Sequence, residues 1–91
     1  METILNLGDI VYSKSGRDQG RYYVVVEVLA EGYVKIADGQ IRKIGNPKKK
    51  KVKHLKGKGI NLELLAEKFK EGKQVFDSEL KSLLRTLNEN A

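Results

Sequence analysis

Positive charge is the feature of this sequence with the clearest chemical meaning. From Gln40 to Lys58 the chain carries nine basic residues and no acidic one. Such a field favours a polyanionic partner, because each phosphate neutralised by a cation releases condensed counterions. Lysine is a flexible point charge, so we expect this basic segment to hold a phosphate backbone without reading base sequence; the alternative is a solvated, mobile loop. Its cations are Arg42, Lys43, Lys48, Lys49, Lys50, Lys51, Lys53, Lys56 and Lys58.

A second candidate site is the segment Ser15–Arg21, which we call the glycine loop. Gly16 and Gly20 alternate there with Arg17 and Arg21. Glycine allows close backbone approach, and arginine can grip phosphate through two parallel hydrogen bonds. The loop is not a nucleotide-binding P-loop, since no Gly-Lys-Ser/Thr end follows it and it leads into a strand. The alternative is that its glycines serve turn geometry alone and its arginines are solvated.

Residue types suited to catalysis or metal binding are scarce. The chain has no cysteine and one histidine, His54, which has no second histidine or carboxylate in local register. Disulfide, thiolate and iron–sulfur chemistry are therefore excluded. Because lysines surround His54 in sequence, we expect its imidazole to be neutral near pH 7 and to have a structural or binding role. We expect no catalytic residues, no metal and no cofactor.

The four tyrosines lie at positions 12, 22, 23 and 33, in the first half of the chain. Aromatic faces on a sheet can stack unpaired bases while neighbouring cations hold phosphates. Strand tyrosines also pack into cores, and we expect at least two of the four to do so. Since alternate residues of a strand face opposite sides, either Tyr22 or Tyr23 must point outward.

The elements that position these groups are short strands in the first part of the chain. Turn signals at Glu31-Gly32, Asp38-Gly39 and Gly45-Asn46-Pro47 separate runs of β-prone residues. The predicted strands are 8–13, 22–29, 33–37, 40–44 and 52–55, with the lysines 48–51 in a loop. About five short strands at this spacing favour closure into a small barrel, which protects the sheet edges.

The hydrophobic period changes after residue 60. A first helix is predicted between Asn61 and Gly72, and a second begins with Asp77 as its N-cap. We expect the helices to bury their apolar faces on the barrel or on each other, with a docking or dimerising face as the alternative. We expect residues 88–91 to fray. The apolar positions are Leu62, Leu65, Ala66 and Phe69, then Leu80, Leu83, Leu84 and Leu87.

Ninety-one residues suffice for one domain. We predict a mainly β fold, with a barrel and its basic loop over residues 1–58 and a helical hairpin packed on it over residues 59–91. The first part carries a net charge of +7 and the second −1, so the polyanion site is expected on the barrel. No segment approaches the roughly 20 apolar residues of a membrane span, and the first residues do not look like a secretory signal. We therefore expect a cytoplasmic protein without a membrane partner.

The pattern Gly8-Asp9-Ile10-Val11, followed by Gly16, Gly20 and the strand from Tyr22 to Val28, resembles the KOW motif. In that motif a strand, a glycine loop and a second strand form part of an SH3-like barrel. The resemblance covers residues 7–33. Continued to Leu55, it extends to large-subunit ribosomal proteins of the fourteen-e type and their short bacterial RNA-binding relatives.

This resemblance implies an SH3-like barrel of about five strands that binds ribosomal RNA. It implies that Gly16 and Gly20 lie where the backbone approaches the partner, with Lys14, Arg17 and Arg21 beside phosphates. The two C-terminal helices are not part of the motif.

The sequence thus predicts a non-catalytic RNA-binding protein, ribosomal or ribosome-associated, that is a monomer when free and has ribosomal proteins as further candidate partners. The alternative is an SH3-like protein-interaction module of the transcription or translation machinery, which would bind through its barrel face or its helices. The candidate RNA-binding residues are Lys14, Gly16, Arg17, Gly20, Arg21, Arg42, Lys43, Lys48, Lys49, Lys50, Lys51, Lys53 and His54.

Overall fold

Five antiparallel strands in one open sheet, followed by two helices, make up the computed structural model, which describes residues 4–89. This mainly β architecture is compatible with an SH3-like barrel and confirms the predicted fold class. The elements are β1 (Asp9–Ser13), β2 (Tyr22–Val28), β3 (Tyr33–Ala37), β4 (Lys48–Lys51), a 3₁₀ turn (Val52–His54), β5 (Leu55–Asn61), α1 (Glu63–Lys70) and α2 (Asp77–Glu89).

The sheet has the order β4-β3-β2-β1-β5, so β4 and β5 are its edges. Tyr23 and Val25 of β2 face one side and Val24 the other, as the period of two requires. Each face carries its own apolar cluster. The first cluster consists of Leu5, Val11, Tyr23, Val25, Val34, Ile36 and Leu55.

The helices cover the opposite face of the sheet. Their side chains Leu65, Leu80 and Leu84 are buried in a second cluster with Ile10 and Val24 of the sheet. Leu83, which belongs to the same predicted stripe, is 48% exposed, so the apolar face of α2 is only partly covered. In the described part of the chain, no helix combines the length and apolar character that crossing a bilayer requires.

Two of the five strands lie elsewhere than predicted. Residues 40–44 form a loop, because the buried carboxylate of Asp38 accepts the N–H groups of Gln40 (3.0 Å) and Arg42 (2.8 Å) and removes these donors from any ladder. The lysines 48–51, predicted as a loop, form β4 instead. The predicted strand at 52–55 is a 3₁₀ turn followed by β5, which begins at Leu55 and continues to Asn61, six residues past the predicted end of the strand.

Both ends of α2 differ from the prediction. Asp77 is the first residue of the helix and not the residue before it, and its Oδ1 accepts the N–H of Ile44 (2.7 Å). Glu79 instead reaches back to accept the N–H of Phe76 (3.2 Å), as the acidic residue of a capping box does. The prediction that the chain frays from residue 88 is wrong for Asn88, which is helical and whose side chain is hydrogen-bonded to the backbone of Tyr22. Asn90 and Ala91 lie outside the described residues.

Candidate nucleic-acid interface

Two buried aspartates hold three of the predicted RNA-binding cations. Asp18 Oδ2 lies 3.3 Å from Lys50 Nζ, and its Oδ1 lies 3.4 Å from Arg42 Nε. Asp38 Oδ2 lies 3.2 Å from Arg21 Nη2. The two carboxylates are 5% and 0% exposed, so these ion pairs are part of the folded structure. Phosphate contact was predicted for all three cations, but their charges already have partners within the fold.

Lys50 points inward because of the strand register. It pairs with Val34 of β3, whose side chain belongs to the first apolar cluster, and its alkyl stem follows the same face. Its ammonium group also donates to the carbonyl of Ser15 (2.7 Å). Lys50 therefore ties β4 to the glycine loop, a role that a run of four identical residues does not reveal in sequence.

The glycine loop has the geometry its composition predicts. Gly16 and Gly20 have φ of 83° and 90°, a region that residues with a side chain rarely adopt. Gly20 N–H donates to the carbonyl of Ser13 (3.0 Å), which closes the loop at its base. Arg17 lies exposed at the turn. Turn geometry thus accounts for both glycines, and their approach to a partner stays a prediction.

A cluster of cations surrounds His54 in the 3₁₀ turn. The N–H of Lys14, at the end of β1, donates to the carbonyl of His54 (2.9 Å) and brings the two segments together. Desolvation lowers the pKa of His54 below its ordinary value of 6.5, and the charges of neighbouring lysines lower it further. This confirms the predicted direction, which favours the neutral imidazole at pH 7. The contributing lysines are Lys53, Lys50, Lys51 and Lys14.

Lysines also flank an aromatic ring on the outward face of the β3–β4 pair. Tyr33 is paired with Lys51 across the strands, and Lys35 with Lys49. The ring centroid of Tyr33 lies 4.7 Å from Lys49 Nζ and 5.9 Å from Lys51 Nζ. Lys35 makes a loose, exposed ion pair with Glu27 (3.8 Å). Alternation within 33–37 predicts the outward side of β3. Because the sequence predicts a loop at residues 48–51, it does not place these lysines beside Tyr33.

Two of the other tyrosines, Tyr22 and Tyr23, pack in or against the apolar clusters. Tyr23 is fully buried, and burial, followed by the charges of Asp18 and Asp38, raises its pKa to about 12. Tyr22 packs on the cluster beneath the helices, with the ring of Tyr12 5.1 Å away and Lys58 Nζ 5.5 Å away. The expectation that at least two tyrosines pack in the core is confirmed.

Nine cations of the basic half make no ion pair within residues 4–89. Most follow one stretch of backbone through β4, the 3₁₀ turn and β5, and Lys14 joins them through its bond to His54. Lys43 lies apart, in the loop before β4. We call this set the free cations: Lys14, Arg17, Lys43, Lys48, Lys49, Lys51, Lys53, Lys56 and Lys58.

Residues 4–89 contain no group of three or more histidine, aspartate or glutamate side chains arranged to hold a metal ion. No protein-family model matches the chain, and no curated protein is significantly similar to it. The resemblance to the KOW family therefore stays a prediction, and the interface is argued from its geometry and charge.

Proposed function

We propose that this protein is a non-catalytic RNA-binding protein of the cytoplasm that holds RNA, in particular ribosomal RNA, through its phosphate backbone. The observation that carries the proposal is that the cations fall into two groups, those paired with buried aspartates and those without an acidic partner. Buried aspartates take up Lys50, Arg42 and Arg21, whereas the free cations have no acidic partner within residues 4–89. Crowded like charges repel one another, and a polyanion relieves that repulsion as it binds. Ribosomal RNA is favoured over other RNA by the KOW resemblance.

A lysine-rich edge strand has a second explanation. β4 is an edge of the sheet, and lysines on an edge discourage pairing with another chain. That role extends to Lys56 and Lys58, because β5 is the other edge of the sheet. It does not account for Lys14, which directly follows β1, or for Lys53 in the 3₁₀ turn. Binding to phosphates accounts for the whole set.

The direct test compares two triple variants with the same change in charge. The first variant replaces Lys49, Lys51 and Lys53 with glutamine. The second makes the same replacement at Lys70, Lys73 and Lys81 on the helical side. Lys50 is left intact, because its loss would unpair Asp18. Removing three phosphate contacts should weaken binding roughly 10- to 100-fold at about 0.1 M salt, with little dependence on RNA sequence. Equal losses in the two variants would show that net charge alone, and not this surface, governs binding.

The alternative function, a protein-interaction module, has one observation in its favour. Leu64 and Leu83 are 78% and 48% exposed and line a groove between α1 and α2. Replacing both leucines with serine should abolish partner capture after nuclease treatment if the groove is the binding surface. If the lysine variant loses the partner instead, or nuclease removes it, RNA carries the interaction.

A further inference from the structure

We propose that Tyr33, Lys49 and Lys51 form a stacking site for an unpaired base of single-stranded RNA. We call these three side chains the β3–β4 platform. The proposal rests on the proposed function and makes it specific, because it names the ligand as an unpaired strand and assigns one aromatic ring to the base.

The strand register builds the platform. Tyr33 lies opposite Lys51, and Lys49 lies two residues along β4 on the same face, so both ammonium groups reach the ring, at 5.9 and 4.7 Å from its centroid. Both lysines are exposed, and the ring belongs to neither apolar cluster. The half-buried ring and the two exposed lysines therefore lie together on the outward face of the β3–β4 pair.

The other tyrosines are less suited to this role. Tyr23 is fully buried. Tyr22 packs on the helix-covered cluster. The centroids of the Tyr22 and Tyr12 rings lie 5.1 Å apart with 59° between the ring planes, so each ring already has an aromatic packing partner. Tyr33 has no aromatic neighbour of this kind within residues 4–89 and has the ammonium groups of two lysines within 6 Å of its ring centroid.

The contacts of the unbound platform can be exchanged for those of a ligand. A base stacked on a tyrosine gains more than an exposed lysine gains over the same ring, so the base displaces the ammonium group. The displaced Lys49 and its neighbour Lys51 then reach the flanking phosphates. Bases in an intact duplex cannot expose a face in this way, so the platform selects single strands and tolerates any base.

The chain contains no tryptophan, so Tyr33→Trp creates a single fluorescent probe at the site. Titration with an oligouridine of about 12 nucleotides should quench this fluorescence with the dissociation constant measured by filter binding. Tyr12→Trp is the matched control on the same face of the sheet and should show little quenching. Equal quenching at both positions, or none at Tyr33→Trp while the RNA is bound, would overturn the proposal.

Affinity provides the second measurement. Tyr33→Leu should weaken binding of the oligouridine roughly 5- to 50-fold, whereas Tyr33→Phe keeps the ring and should retain affinity. Neither change should alter binding to duplex RNA of the same length. If wild type and Tyr33→Leu bind the single strand equally, the stacking site is wrong while phosphate binding stands. If the wild-type protein binds no RNA, the proposed function and the platform fail together.

Discussion

Lys50 Nζ lies 3.3 Å from Asp18 Oδ2, and less than a tenth of either side chain is exposed. One lysine of a run of four thus serves the fold, while Lys49 and Lys51 on either side of it face outward. The pair links β4 to the glycine loop, since the same ammonium group donates to Ser15 (2.7 Å). The run of lysines 48–51 is therefore an ordered strand with one lysine in a buried ion pair, and this distinction makes its lysines separable by mutation.

Lys50→Met should destabilise the protein by about 3 kcal/mol, because it leaves the buried Asp18 carboxylate with Arg42 as its remaining ion-pair partner. Lys49→Met at the exposed neighbour should change the free energy of unfolding by less than about 0.5 kcal/mol. Urea denaturation monitored by circular dichroism measures both. Similar losses for the two variants would contradict the structural role of Lys50.

The buried Tyr23 hydroxyl should make stability fall at alkaline pH. Its pKa is raised to about 12 in the folded protein, from an ordinary 10.0, so the unfolded chain loses this proton first as the pH rises. The stabilisation is complete below pH 10 and is lost as the pH approaches 12, a loss of roughly 2 kcal/mol. The difference between wild type and Tyr23→Phe in urea titrations from pH 9 to 12 isolates this effect. Parallel curves over that range would exclude it.

Asn88 should stabilise the start of β2. Its Oδ1 accepts the N–H of Tyr22 (2.8 Å), and its Nδ2 donates to the Tyr22 carbonyl (3.3 Å), so the side chain replaces a missing strand partner. Asn88→Ala should cost about 1–2 kcal/mol and speed hydrogen exchange at the Tyr22 amide. Thr86→Ala, at an exposed position of the same helix, is the control. Unchanged exchange at Tyr22 in Asn88→Ala would mean that this pairing is not maintained in solution.

His54 should report RNA binding through its own titration. Its pKa lies below 6.5 in the free protein, with nearby lysines contributing to the shift, and bound phosphates offset those charges. Binding should therefore raise the pKa of His54, and affinity should increase as the pH falls through the range in which this imidazole takes up its proton. NMR follows the single imidazole directly, and His54→Gln should remove this pH dependence. An identical titration with and without oligouridine would place the RNA away from the 3₁₀ turn.

How far the sequence predicts the fold depends on how strongly each segment is patterned. Tyr33–Ala37 was predicted with its observed bounds, because alternating apolar residues and flanking turns specify a strand. A run of identical lysines has no alternation, so nothing in the run distinguished Lys50 from Lys49. Only the pairing of β4 with β3, a contact between distant segments, gives these residues opposite directions.

The sequence predicts which residue types make up the candidate site better than it predicts their arrangement in space. The cations and the glycine loop stand out in sequence, but Asp18 and Asp38 look like ordinary loop acids until the fold buries them. Because they are distant in sequence from Lys50 and Arg21, their ion pairs could not be predicted. The same holds for Tyr33 and its lysines, which meet only through the strand register.

The salt dependence of binding to a single-stranded RNA tests the central claim most directly. If about six of the free cations contact phosphates, a plot of log affinity against log salt concentration should have a slope of roughly −4. In the variant with glutamine at Lys49, Lys51 and Lys53, the slope should be less steep by about 2. The helical-side variant should keep the wild-type slope. A wild-type affinity that stays constant from low to high salt would contradict RNA binding through the phosphate backbone.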